Sequence, residues 1–120
     1  MLEQGKIMAN VNLSDYVKKT SEEIGKMGGD PNIVYNSNIS DAMIKCRNIA
    51  CEYAKIRKNK NPPIPIAVIN KASDCESYTQ FKFSTDLNTE TLKKAINAIN
   101  ENHNVSLTEY ESSINVEIYN

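Results

Sequence analysis

The chain is 120 residues long and 40% hydrophobic, with 14 basic against 15 acidic side chains and a net charge of −1. That length suits one domain with a real core, and the balanced charge lacks the strongly basic footprint of general nucleic-acid binders. No apolar run approaches the ~20 residues that span a bilayer, so no membrane contact is expected.

With six tyrosines, two phenylalanines and no tryptophan, the core must be largely aliphatic. Cys46, Cys51 and Cys75 show no CxxC and no metal-ligand spacing, and an odd count fits a reducing compartment better than a disulfide framework. The opening MLEQGKIMANVNLS has neither the apolar stretch nor the small-residue cleavage pattern of a secretory signal. A cytoplasmic protein is expected. Arg47 and Arg57 are the only arginines, and lysine, asparagine and isoleucine are abundant, usage that accompanies AT-rich coding in low-GC bacteria, their viruses and some protists.

Met1 to Val11 carry no apolar periodicity and are expected to form a flexible segment ahead of a single α+β domain at 12–120. Gln4-Gly5 is encodable by a purine-rich string just before Met8, which would make Met8 the translation start. From Leu13 the spacing of Tyr16, Val17, Thr20, Ile24 and Met27 predicts a helix, capped by Asn12 or Ser14 and stopped by Gly28-Gly29-Asp30-Pro31. Those glycines precede a proline and not a helix, so they are a helix stop and no phosphate loop. NIVYN, Asn32 to Asn36, reads as a short strand.

Ser40 is the expected N-cap of a second helix, with Asp41 near its positive end. Its apolar stripe is Ala42, Met43, Cys46, Ile49, Ala50, Tyr53 and Ile56. Pro62 and Pro63 end it and stiffen the return. Pro65 then opens a strand, leaving Ile66 to Asn70 as a buried central one. YTQFKFS, Tyr78 to Ser84, alternates Thr79, Phe81 and Phe83 against Tyr78, Gln80 and Lys82, which predicts a hairpin with the preceding strand. A third helix, capped by Asn88 or Thr89, carries Leu92, Ala95, Ile96 and Ile99. VSLTEYESSINVEIYN reads as two strands turning at Glu111 to Ser113. The predicted fold is an N-terminal helix followed by β-α-β-β-α-β-β, a ferredoxin-like (split β-α-β) plan or a related single-sheet sandwich.

His103 is the only histidine, so no two-histidine metal site exists; near the end of the third helix it reads as a capping or solvated residue. Cys46 falls on the apolar stripe. Cys51 projects from the other side with Arg47 and Lys55 one turn away, cations that stabilise a thiolate, which makes it the reactive-thiol candidate despite Glu52. Arg47, Lys55, Arg57 and Lys58 form a basic excess toward the end of the second helix, the candidate site for an anionic ligand; cations there also simply complement the helix dipole. No catalytic residue, cofactor or metal site is nominated.

The expected function is a non-enzymatic small binding protein acting through a protein–protein contact, an inhibitor or adaptor of bacterial or viral origin. The alternatives are a small-ligand or nucleotide-binding domain using the basic end of the second helix, and an RNA-binding module using Tyr78, Phe81 and Phe83 on the sheet. The run INVEIYN, with Glu117 its sole charge and no proline, is expected at a sheet edge, where it would build a homodimer. The alternative is that the first helix covers that edge.

Overall fold

The computed structural model describes residues 11–72, 77–99 and 104–119. Helix α1, Leu13–Lys26, starts where Asn12 Oδ1 accepts the Asp15 N–H at 2.8 Å. It buries Tyr16, Thr20, Ser21 and Ile24. Gly28 ends it at φ 88°, a conformation costly for any residue with a Cβ. A Cβ on Gly29 would stand 2.8 Å from Ile24 Cγ2, so the chain doubles back here only as glycine.

The strand expected at Asn32 to Asn36 does not form. Pro31–Tyr35 and Ser37–Ile39 are two short 3₁₀ turns. Asp30 accepts the Asn32 N–H at 3.0 Å and Asn36 accepts the Asn38 N–H at 2.9 Å. These local side-chain bonds compete with any sheet ladder, and Pro31 lacks a donor. Helix α2, Ser40–Arg57, grows directly from the second turn. Its N-cap is therefore Ile39, already helical and without a side-chain bond, and not the predicted Ser40.

The stripe of α2 is buried as expected, with Ala54 added, while Ile56 is 38% exposed beyond the end of the core. The helix closes with the Asn59 N–H on Ala54 O at 2.8 Å and Lys58 in the left-handed region at φ 57°. The proline connector then crosses under α1. The Tyr16 hydroxyl donates to Pro63 O at 2.7 Å, and Pro65 is fully buried.

Four antiparallel strands follow in the order β1-β2-β4-β3: β1 Ala67–Ala72, β2 Ser77–Phe83, β3 Asn104–Glu109 and β4 Ile114–Tyr119. Helix α3, Thr89–Ile99, links β2 to β3, and Asn88 caps it by accepting the Thr91 N–H at 2.9 Å. β2 and β3 run parallel with β4 between them, which makes β2-α3-β3 one split β-α-β unit. A second such unit would need the missing strand at 32–36.

Two expectations about the sheet are overturned. β1 is an edge strand and not a central one, with Val68 buried but Ile69 40% exposed. The C-terminal strand β4 is central, hydrogen-bonded on both sides, and Val116 is 0% exposed. Dimerisation through β4 therefore has no free edge to use, and α1, which packs on α2 and the 3₁₀ connector, has none to cover there.

One face of the sheet (Val68, Phe81, Phe83, Ile114, Val116, Ile118) shares a core with the three helices. The other face carries a polar chain. Gln80 Nε2 donates to Asn115 Oδ1 at 2.6 Å, Asn115 Nδ2 to Glu117 Oε2 at 3.1 Å, and the Tyr119 hydroxyl to Glu117 Oε1 at 2.7 Å. Among the described residues no helix is long and apolar enough to cross a membrane. Residues 1–10 and the predicted turn residues around Cys75 lie outside the described residues.

Removing the Tyr16 hydroxyl leaves Pro63 O without its donor in a part-buried position. Tyr16→Phe is expected to cost about 1–3 kcal/mol of unfolding free energy in urea titration. A neutral result would mean that the connector is held by its prolines alone.

Candidate functional site

The tight glycine turn after α1 folds Pro31 back onto the helix. Ser21 Oγ donates to Pro31 O at 2.6 Å, and the Gly25 Cα faces the Pro31 ring. This sets the first 3₁₀ turn beside the end of α1, facing the beginning of β1. Between them lies an open cleft of about 350 Å³. Ile24 and Val68, both buried, form its floor, and Met27, Ile33 and Ile66 its walls, with Asp30 on the rim. Met27 is 60% exposed, a large apolar side chain left standing in solvent. Further along β1, Asn70 Nδ2 donates to Asn38 O and ties the strand to the second 3₁₀ turn. A smaller hollow of about 180 Å³ lies between Tyr16, Lys19 and the proline connector.

The basic residues nominated from sequence do not converge. Arg47 Nη1 donates to Val11 O at 3.3 Å and Nη2 to Asn48 Oδ1 at 3.0 Å, while its Nε is buried without a partner. It thus anchors Val11, which the sequence put in the flexible segment. Lys58 sits eleven residues on, about 16 Å along the helix axis. Lys55, Arg57 and Lys58 are exposed at the C-terminal end, and the Lys55 ammonium stands 4.0 Å from Glu52. The left-handed backbone of Lys58 is explained by the helix stop alone.

Cys51 is half-buried on the flank of α2, as its position predicts. Its two neighbouring cations are turned elsewhere, Arg47 to Val11 and Lys55 to Glu52. Cys46 is the opposite case. It is fully buried 3.5 Å from the Tyr16 hydroxyl, and burial pushes its thiol up to about 12, an effect the Tyr16 contact offsets only in part. Burial likewise holds the Tyr16 phenol well above its ordinary range.

The aromatic trio proposed for RNA is split. Phe81 and Phe83 are 0% exposed in the core, whereas Tyr78 lies on the opposite face, its ring 5.2 Å from that of Tyr119. Among the described residues no group of three or more His, Cys, Asp or Glu is placed to hold a metal. His103 lies outside them. The cleft was not legible in the sequence because its far wall depends on the 3₁₀ connector, and because Met27, which helical spacing places on the packed face of the first helix, is instead the exposed residue that caps it.

No protein-family model matches the chain, and no curated protein and no solved structure matches it.

Two expectations follow for Cys46. Under native conditions an alkylating reagent followed by peptide mapping should modify Cys51 well before Cys46, because thiolate fraction and access set the rate. Faster labelling of Cys46 would mean that the core opens locally around it. The second is alkaline instability. The unfolded chain loses the Cys46 proton from its ordinary value of 9.0 upward while the native state keeps it to about 12. Stability is fully present below pH 9 and falls across that window by up to about 1.4 kcal/mol per pH unit. Urea midpoints measured across it should drop for wild type, and Cys46→Ala should flatten the slope.

Proposed function

We propose that the protein is a non-enzymatic binding protein, an inhibitor or adaptor, and that the cleft beside β1 receives apolar side chains of a protein partner. The observation that carries this reading is Met27, 60% exposed at the mouth of a cleft whose floor is the hydrophobic core itself. Exposed apolar surface rimmed by polar residues marks interaction sites, and methionine adapts its shape to a partner at low cost. The cleft is open to solvent, which suits an inserted side chain or an extended segment more than an enclosed small molecule.

The fold belongs to the same proposal. β4 fills the central place that the first strand holds in a ferredoxin-like plan, so we take the architecture as a permuted variant of that plan. β1 keeps the edge place that the second strand holds in that plan, and a cleft of this kind needs an edge strand as one wall.

Native mass spectrometry of the full chain, isolated gently from the cells that make it, tests the reading. Wild type is expected to retain a polypeptide mass that Met27→Asp loses, while Lys55→Glu at the basic helix end keeps it. Both substitutions are at exposed positions and should leave the melting temperature nearly unchanged. A bound species of small-molecule mass, or a polypeptide lost with Lys55→Glu and kept with Met27→Asp, would overturn it.

A further inference from the structure

The two edges of the sheet are unequally protected. At β1 the guard is explicit: Pro65 stands just ahead of the strand, and Asn70 clips the second 3₁₀ turn alongside it. β3 has no such cover among the described residues. It pairs with β4 on one side only. An antiparallel edge strand presents outward-facing N–H and C=O groups at alternate residues, and proteins usually blunt such an edge with proline, lysine or a bulge. Asn104–Glu109, NVSLTE, has none of these, and its one charge is at its last residue.

The core also stops short here. On the helix-facing side of β3, Val105 and Leu107 remain half-buried. Their direct neighbours on β4, Ile118 and Val116, are 4% and 0% exposed. One more strand beside β3 would finish the covering of both side chains and satisfy the open backbone at the same time.

We infer that this strand is β3 of a second copy of the chain, in a two-fold antiparallel pair with Ser106 on the axis. The register follows from the pleat. Side chains directly opposite share a face, so a continuous sheet with all helices on one side must place apolar helix-facing residues against one another. Centring on Ser106 does so twice, with each Val105 opposite the Leu107 of the other copy. Asn104 then faces Thr108 on the outer side. The five paired positions, 104–108, contain no charge, so the two-fold brings no like charges together, and Glu109 stays outside the pair. A neutral, self-complementary strand fits a second copy better than a charged partner. The product is a continuous eight-stranded sheet, with the cleft beside β1 free at each far edge. This inference is independent of the function proposed for that cleft.

Disulfide trapping in the full chain tests both the pairing and its register. Opposed cysteines in an antiparallel pair lie within disulfide reach, about 4.5–5.5 Å between Cα atoms. Under mild oxidation S106C is expected to give a covalent dimer, whereas T108C, about 14 Å from its own counterpart in this register, is not. The natural cysteines are controlled by wild type, which should stay uncrosslinked in the same conditions. Sedimentation supplies the second readout. Wild type should show reversible, concentration-dependent dimerisation, weakened up to about fivefold by S106K, which brings two lysines together on the axis. Asn97→Lys, exposed on α3, should leave it unchanged. A wild type that stays monomeric at the highest concentration reached, or equal trapping of S106C and T108C, would overturn the inference.

Discussion

The hydrogen bond from the Tyr16 hydroxyl to Pro63 O, 2.7 Å long, is the constraint on which the packing of this protein rests. Three pieces meet at the Tyr16 hydroxyl: α1, which supplies the phenol; α2, whose Cys46 lies against it; and the proline connector, whose carbonyl accepts. Neither helix reaches the sheet through a turn of its own. The connector delivers β1 at the angle that lets Val68 join the core, and the buried phenol holds the connector in place. A phenylalanine would fill the same volume and lose the tie. Stiff prolines on one side and a buried donor on the other divide the task, the first reducing the freedom lost on folding and the second fixing where the stiff segment sits.

Much of the fold was legible because most of its helices and strands have periods that a short window captures. The stripe of α2, the stop at Gly28-Gly29, the cap at Asn88 and the alternation of Thr79, Phe81 and Phe83 all have local causes, and all stand in the structure. The failures have non-local or competing causes. Asn32 to Asn36 looks extended by composition, but Asp30, Pro31 and Asn36 together offer the backbone cheaper local partners. The apolar run after Pro65 reads as a central strand, yet strand order is decided by which partner arrives on which side. β4 shows the same limit in reverse. Its pattern of buried residues, with even Asn115 only 4% exposed, is that of an inner strand, and its place at the end of the known chain suggested an edge.

The candidate sites were less legible still, for a related reason. Sequence spacing groups Arg47, Lys55 and Lys58 on one helical face, but side-chain direction then separates them. Arg47 reaches back to the start of α1, and Lys58 is committed to the helix stop. A reactive Cys51 likewise needs its flanking cations to face it, and Arg47 and Lys55 are turned to Val11 and Glu52. What sequence could not assemble is the cleft, because Met27 and Ile66 are brought together by a connector whose conformation was misread. Helical spacing also puts Met27 on the packed face, whereas it caps the helix and stands 60% exposed. Its exposure gains meaning only when the opposite wall is known.

The central position of β4 also bears on how the chain must be made. Ribosomes deliver residues in order, and β1 and β2 emerge as a hairpin with adjacent partners. β3 comes next but has nothing to pair with, because its only neighbour follows it. Tyr78 and Tyr119, opposite one another in the finished sheet, are separated in the chain by the whole of α3 and β3. Until β4 arrives, the inner edge of β2 and both edges of β3 stand open together with Phe81 and Phe83. The nascent chain therefore passes through a stage that exposes its most sheet-prone segments, and slow, long-range pairing of this kind is where chains meet chaperones or one another. The hairpin of β3 and β4 closes the sheet when β4 pairs with β2, joining the two ends of the sheet through one inner strand.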